Sequence, residues 1–232
     1  MLRQISRRGR LEALLQDKQD EASQNLAPIL APENLSGGGP PGVLKPSETA
    51  KFFTKALMLP DADYDALVNY LQFTGRPYRH WKNLPYPPNP RILPTRAEFP
   101  PQVSQNGHTY SCERSHRGNS AIYFYNPLTQ QYRTGFIQSI WRLPLEGSIS
   151  TFIVVQPHRS LPPQEETKAP FLQYSGFRAQ IFDQQPSNEL VIIEPTHIIT
   201  HLTTFKRPAG TYGINGHTLV VCWALDRGKM HQ

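Results

Sequence analysis

The sequence predicts a mainly β fold: a small barrel or strongly bent antiparallel sheet with one N-terminal helix and a Pro-rich loop. Three observations carry that expectation. The apolar residues after position 103 fall into short runs rich in Val, Ile, Thr, Tyr and Phe. Gly, Pro, Asn and Asp separate those runs. No long stretch of helical period lies between them, so crossover helices of a parallel sheet are not expected.

The domain organisation follows from where the apolar residues sit. Residues 1–50 read as a disordered arm and linker with a short helix, and residues 51–232 as a single β-rich domain. The arm opens with Leu2, Ile5, Leu11, Leu14 and Leu15 among Arg3, Arg7, Arg8 and Arg10, which resembles a mitochondrial presequence. Gly9 breaks the period and Asp17, Asp20 and Glu21 follow at once. A short frayed helix, whose arginines serve nuclear import or touch an acidic partner, is the favoured reading. Ser36-Gly37-Gly38-Gly39-Pro40-Pro41-Gly42 is a flexible linker.

Pro60-Asp61 begins the clearest helix. Asp61 is expected to cap it, Asp63 and Asp65 suit the positive end of its dipole, and Tyr64, Leu67, Val68 and Leu71 form one apolar face. Gly75 ends it. A calcium loop starting at Asp61 would need Gly and Glu where Ala66 and Gln72 stand, so the acids mark a helix start. Residues 76–103 are too rich in proline to hold a regular element for long. Asn106-Gly107 is a turn signal. The expected strands are His108–Arg114, Ser120–Tyr125, Tyr132–Arg142, Ser150–Gln156, Phe177–Phe182, Leu190–Ile193, Ile198–Phe205 and Thr218–Ala224. Phe152–Val155 and Leu219–Val221 are apolar on both faces, which places them deep in the domain.

Composition narrows the class. Two cysteines in 232 residues, Cys112 and Cys222, exclude a disulfide framework; one bridge between them is the alternative to the favoured reading, two free thiols in an intracellular protein, nuclear rather than mitochondrial. No stretch approaches the roughly 20 apolar residues that span a bilayer, so no membrane partner is expected. The formal charge of +6 is unevenly spread. Residues 76–142 carry nine Lys/Arg against Glu98 and Glu113, a balance of +7, while the flanking segments are nearly neutral. Solubility alone can explain such an excess, and so can an anion-binding face.

Chemistry-bearing constellations are few. His108, Cys112 and His116 suggest metal ligands, yet residues four apart on a strand lie about 13 Å apart, too far to share one ion. No metal and no cofactor is therefore expected. His197 and His201, with Glu194 beside them, form a trio suited to acid/base work or metal-dependent hydrolysis, but their β-branched neighbours favour a strand with ordinary hydrogen-bonded histidines. There is no nucleophile elbow, phosphate loop, dinucleotide fingerprint or CxxC. The chain thus reads as a non-enzyme.

The basic third differs, because its arginines alternate with aromatics. Arg76, Tyr78, Arg79, His80, Trp81, Lys82, Tyr86 and Arg91 share one loop. Tyr110, Arg114, Arg117, Tyr123, Tyr125, Tyr132, Arg133, Trp141 and Arg142 lie on the first strands. Arginine on phosphate with rings stacking on bases is the chemistry of single-strand nucleic-acid grooves. An open aromatic pocket could instead hold a methylated lysine. Along Ser120–Tyr125, Ile122 and Phe124 face one way and Tyr123 and Tyr125 the other, the second pair being the polar-facing one. The expected nucleic-acid or anion contacts are Arg79, Trp81, Lys82, Arg117, Tyr123, Tyr125, Arg133 and Arg142.

Several short motifs carry a resemblance. They are Arg79-His80-Trp81-Lys82, Asn119-Ser120-Ala121-Ile122, the run Gly135 to Trp141, Phe152 to His158, Glu194 to Ile199, and the closing Ala224-Leu225-Asp226-Arg227. In these, about 170 residues resemble a group of uncharacterised basidiomycete fungal proteins, many encoded within or beside transposon-derived genes. That resemblance implies a mobile-element setting and assigns no catalytic residue. The order of elements, with a strand starting Gly135-Phe136-Ile137 leading into a long one at Ser150–Gln156, is similar to bromo-adjacent-homology or Tudor-like chromatin barrels. The resulting expectation is a binding module for DNA or RNA, or for a protein or peptide ligand. The alternative is a hydrolytic or metal-dependent enzyme around Glu194, His197 and His201.

Overall fold

The computed structural model describes residues 46–223 except 87, 89, 175 and 176. The expected arm and linker up to residue 45, and the closing residues from Ala224, lie outside the described residues. The first helix, α1 (Pro46–Lys55), runs across the boundary expected at Lys51. Its signals are local: proline at the first helical position, Glu48 in the first turn and Lys55 in the last, with Phe52 buried.

The second helix, α2 (Asp61–Phe73), buries Tyr64, Leu67, Val68, Tyr70 and Leu71. Pro60, not Asp61, is the N-cap, and no side chain caps the helix start. Asp61 already lies inside the first turn, which frees its carboxylate for other use. At the other end Thr74 Oγ1 donates to the Tyr70 carbonyl at 3.0 Å, and Gly75 breaks the helix at φ 79°.

The Pro-rich stretch is organised by short ladders. β1 (Leu57–Met58) pairs antiparallel with β4 (Arg96–Ala97), and β2 (Tyr78–Arg79) pairs parallel with β3 (Arg91–Ile92). β5 (Gln102–Gln105) and β6 (His108–Ser111) form a hairpin. Its two-residue turn is Asn106 (φ 51°) and Gly107 (φ 76°), the left-handed pair that matches strand twist.

The remaining strands are β7 (Ala121–Asn126), β8 (Gln131–Leu145), β9 (Ser148–Pro157), β10 (Arg159–Ser160), β11 (Ala179–Asp183), β12 (Val191–Ile193), β13 (Ile198–Arg207) and β14 (Thr218–Trp223). A one-turn helix, α3 (Pro163–Glu166), follows β10. The eight strands form one sheet in the order β10-β11-β14-β13-β7-β8-β9-β12, every pair antiparallel. The fold is thus mainly β with a strongly bent, half-barrel sheet. One bend has a visible cause: a register shift between Ile137 and Ser139 inserts an extra residue in β8. Just before it, Gly135 lies so close to β9 that a Cβ would sit 2.6 Å from the Gln156 carbonyl oxygen.

One face of the sheet is packed throughout and the other in part. On one, Ile122 and Phe124 join Ile137, Ile140, Ile153 and Val155, and the β5–β6 hairpin covers them with Tyr110 and Cys112. On the other, Ala121 and Phe136 join Phe182, Leu202, Leu219 and Val221. The α2 face packs on Trp141, Phe152, Val154 and Ile192. Phe152–Val155 and Leu219–Val221 are buried, as their runs predict. Among the described residues no helix is long and apolar enough to cross a membrane.

Candidate functional site

The pleat of β7 decides which aromatics are available. Tyr123 and Tyr125 project from the face opposite Ile122 and Phe124, and their register partners there are Thr134 and Tyr132 of β8. Tyr132 stacks on Tyr123 at 5.7 Å between centroids and lies 5.3 Å from Tyr125. Trp223 of β14 meets Tyr123 edge-on at 5.5 Å. It reaches diagonally across β13, where its own register partner is Leu202 and that of Tyr123 is Thr200. His197 continues the row, 6.2 Å from Tyr125. The result is a row of five rings drawn from β14, β7, β8 and the turn before β13. Tyr132 is 60% exposed, and Tyr123, Tyr125 and Trp223 are half-buried.

Charge at the two ends differs. Trp223 donates its backbone N–H to the Arg178 carbonyl at 3.0 Å, which fixes Arg178 at that end. Arg178 is exposed and has no ion pair among the described residues. At the other end His197 Nδ1 accepts the Glu194 backbone N–H at 3.1 Å, in a reciprocal cap of the turn Pro195–His197. Glu194 also pairs with Arg76, whose guanidinium lies over the Phe152 ring. Burial and the Arg76 charge hold the His197 pKa below its ordinary value.

The structure brings only some of the expected contacts together. Arg117 pairs with Glu113 at 3.7 Å, Arg133 with Glu189 at 2.7 Å and Arg142 with Glu98 at 3.3 Å. Arg91 is held by Glu146 at 2.5 Å. Glu98 and Glu113 belong to the segment itself, but Glu194, Asp61, Glu146 and Glu189 from its flanks pair with Arg76, Lys82, Arg91 and Arg133 and so offset four of the +7 that the linear count places in residues 76–142. Only Arg79, Arg96 and Arg114 of that segment lack an ion pair among the described residues, and all three are exposed. Of the interleaved aromatics, Tyr78, Tyr110 and Trp141 are core residues at 5%, 3% and 1% exposure. Trp81 and Lys82 form a separate locus beside Asp61.

Glu194 and His197 meet, but through the cap just described. His201 belongs to another cluster: it stacks on Tyr110 at 4.2 Å, lies 6.0 Å from His108, and donates from Nε2 to the Thr109 carbonyl. Cys112 is buried, which pushes its thiol pKa up, while His116 is exposed. Among the described residues no three His, Cys, Asp or Glu gather around one point.

Reading the strands one at a time undervalues Tyr132 and overlooks Trp223 and Arg178. Trp223 does carry a signal, since it follows Leu219 and Val221 in strict alternation on β14. Its approach to Tyr123 depends on strand order, which no local pattern specifies. No protein-family model, curated protein or solved structure matches the chain.

Proposed function

We propose that this chain is a non-enzymatic binding module whose ligand surface is the ring row Trp223-Tyr123-Tyr132-Tyr125, and that the ligand is single-stranded nucleic acid. The observation that carries this reading is the row itself: partly exposed rings contributed by three strands, beside an arginine with no ion pair among the described residues. Flat rings on a sheet offer stacking surfaces to splayed bases whatever their sequence. Arg178 supports the reading by standing where a phosphate flanking the Trp223 end would pass. Arg79, Arg96 and Arg114 add attraction at longer range, whereas Arg117, Arg133 and Arg142 must first give up a carboxylate. A nuclear, mobile-element setting is compatible with this proposal.

The test is anisotropy of a labelled pyrimidine 12-mer titrated with the protein at several salt concentrations. Affinity is expected to fall as salt rises, because each neutralised phosphate releases counterions. Tyr125→Leu should weaken binding by roughly tenfold or more, as loss of one stacked base does. Absence of binding at low salt, or binding indifferent to Tyr125, overturns the proposal.

A further inference from the structure

We propose that the groove between β1, the first turn of α2 and Trp81 recognises the alkylammonium head of a partner protein's lysine side chain, and that Lys82, from outside the groove, holds its carboxylate and ring face in the free protein. The groove encloses about 280 Å³ and is lined by Met58, Leu59, Asp61, Tyr64, Trp81 and Thr95. Its walls are apolar and aromatic, and its one ionisable carboxylate is Asp61. Met58 and Trp81 are 63% and 46% exposed, so the apolar wall is open to a ligand.

Lys82 shows what chemistry these walls attract. Its ammonium lies 5.2 Å from the Trp81 ring centre and 3.2 Å from Asp61 Oδ2. One cation thus uses both features that recognise an ammonium group, a ring face and a carboxylate. The hold is weak. The side chains of Lys82 and Asp61 are 50% and 81% exposed, and ion pairs so exposed contribute little to stability. A lysine brought by a partner that also covers Met58 and Trp81 would exclude water, strengthen both contacts and displace Lys82. The first turn of α2 carries Asp61, Asp63 and nearby Asp65, which disfavours an anion there.

The ring is also fixed in advance. His80 Nδ1 accepts the Lys82 backbone N–H at 2.9 Å, and its Nε2–H donates to Asp65 at 2.9 Å. The imidazole packs edge-on against Tyr64 at 4.9 Å and stacks with Trp81 at 6.1 Å. Tyr86 donates its hydroxyl to the Trp81 carbonyl. The Trp81 backbone and the stacked His80 ring thus have partners other than Lys82, which lowers the ordering cost that falls on the ligand.

The experiment titrates full-length protein with Nα-acetyl-lysine methylamide, its trimethyl-lysine form and the uncharged norleucine analogue. The readout is the Trp81 indole N–H resonance, assigned by its loss in Trp81→Phe. Both ammonium ligands are expected to shift that resonance and norleucine is not. Lys82→Ala, which removes the internal competitor, should tighten binding about three- to tenfold, and Asp61→Asn should weaken it. A norleucine response equal to lysine's, no shift with any ligand, or Lys82→Ala binding no tighter than the parent overturns the proposal. Because Tyr132→Ala lies outside the groove, it should leave these titrations unchanged, which separates this site from the ring row.

Discussion

The two faces of β7 make different use of the same alternation. Ile122 and Phe124 are fully buried, sealed by β8, β9 and the β5–β6 hairpin. Tyr123 and Tyr125, one residue away on the other face, keep their rings partly in water beside an exposed Tyr132. That second face is not open throughout. Toward β11 it closes over Phe136, His158, Phe182, Leu202 and Leu219. Phenylalanine and leucine close it at one end, while tyrosine, which keeps a polar hydroxyl for water, lines the other. One sheet face thus combines a packed half with a surface suited to flat ligands.

The sharpest way to break this contrast is to cut a ring from the sealed side. Phe124→Ala leaves a cavity among Ile137, Ile140 and Val155 that their β-branched side chains cannot collapse to fill. A loss of about 3–5 kcal/mol is expected by urea denaturation. A loss below about 1 kcal/mol would mean the sealed face is loosely packed and the contrast is wrong.

The closed half of the ring face is tested by acid. His158 is buried between Phe136 and Phe182, bonded to Thr134 Oγ1 at 2.9 Å, and burial lowers its pKa from 6.5 to about 4. The unfolded chain binds a proton below pH 6.5 that the folded chain refuses until about pH 4. Stability contributed by this histidine is therefore complete above pH 6.5 and is lost as pH falls toward 4, by about 3 kcal/mol. Burial lowers the pKa of His197 and His201 as well, so both add loss of the same sign. His158→Leu should flatten most of the fall between pH 6.5 and 4 in denaturation midpoints. An unchanged slope would show that the closed half is wetter than its packing implies.

The contrast also shows what local patterns carry. Alternation in Ala121–Tyr125 specifies which residues share a face, and β-branched runs such as Phe152–Val155 specify burial, because both follow from the period of a strand. The Asn106-Gly107 turn is legible for the same local reason. Charge is not. The excess in residues 76–142 is read along the chain, but Arg133 is neutralised by Glu189 and Arg91 by Glu146, more than fifty residues on. Helix α1 escapes notice because Pro46 and Glu48, its start signals, directly follow a Gly- and Pro-rich run. Trp223 joins the row only because the strand order sets β14 one strand away from β7, across β13.

The smallest expected effect on stability is the most informative about function. Tyr132 is 60% exposed, and its ring contacts are with Tyr123 and Tyr125, which are themselves partly in water. Removing it empties no enclosed volume, so Tyr132→Ala should change stability by no more than about 0.5 kcal/mol. The same change deletes the ring that links Tyr123 to Tyr125. If the row binds bases by stacking, affinity for a single-stranded oligonucleotide should fall by about 1–3 kcal/mol while the melting curve stays in place. Paired melts and binding curves on one preparation make the comparison direct. A large drop in stability would assign Tyr132 to packing. Unchanged affinity with unchanged stability would leave the row without a role in binding, and the exposed tyrosines would be surface residues like any others.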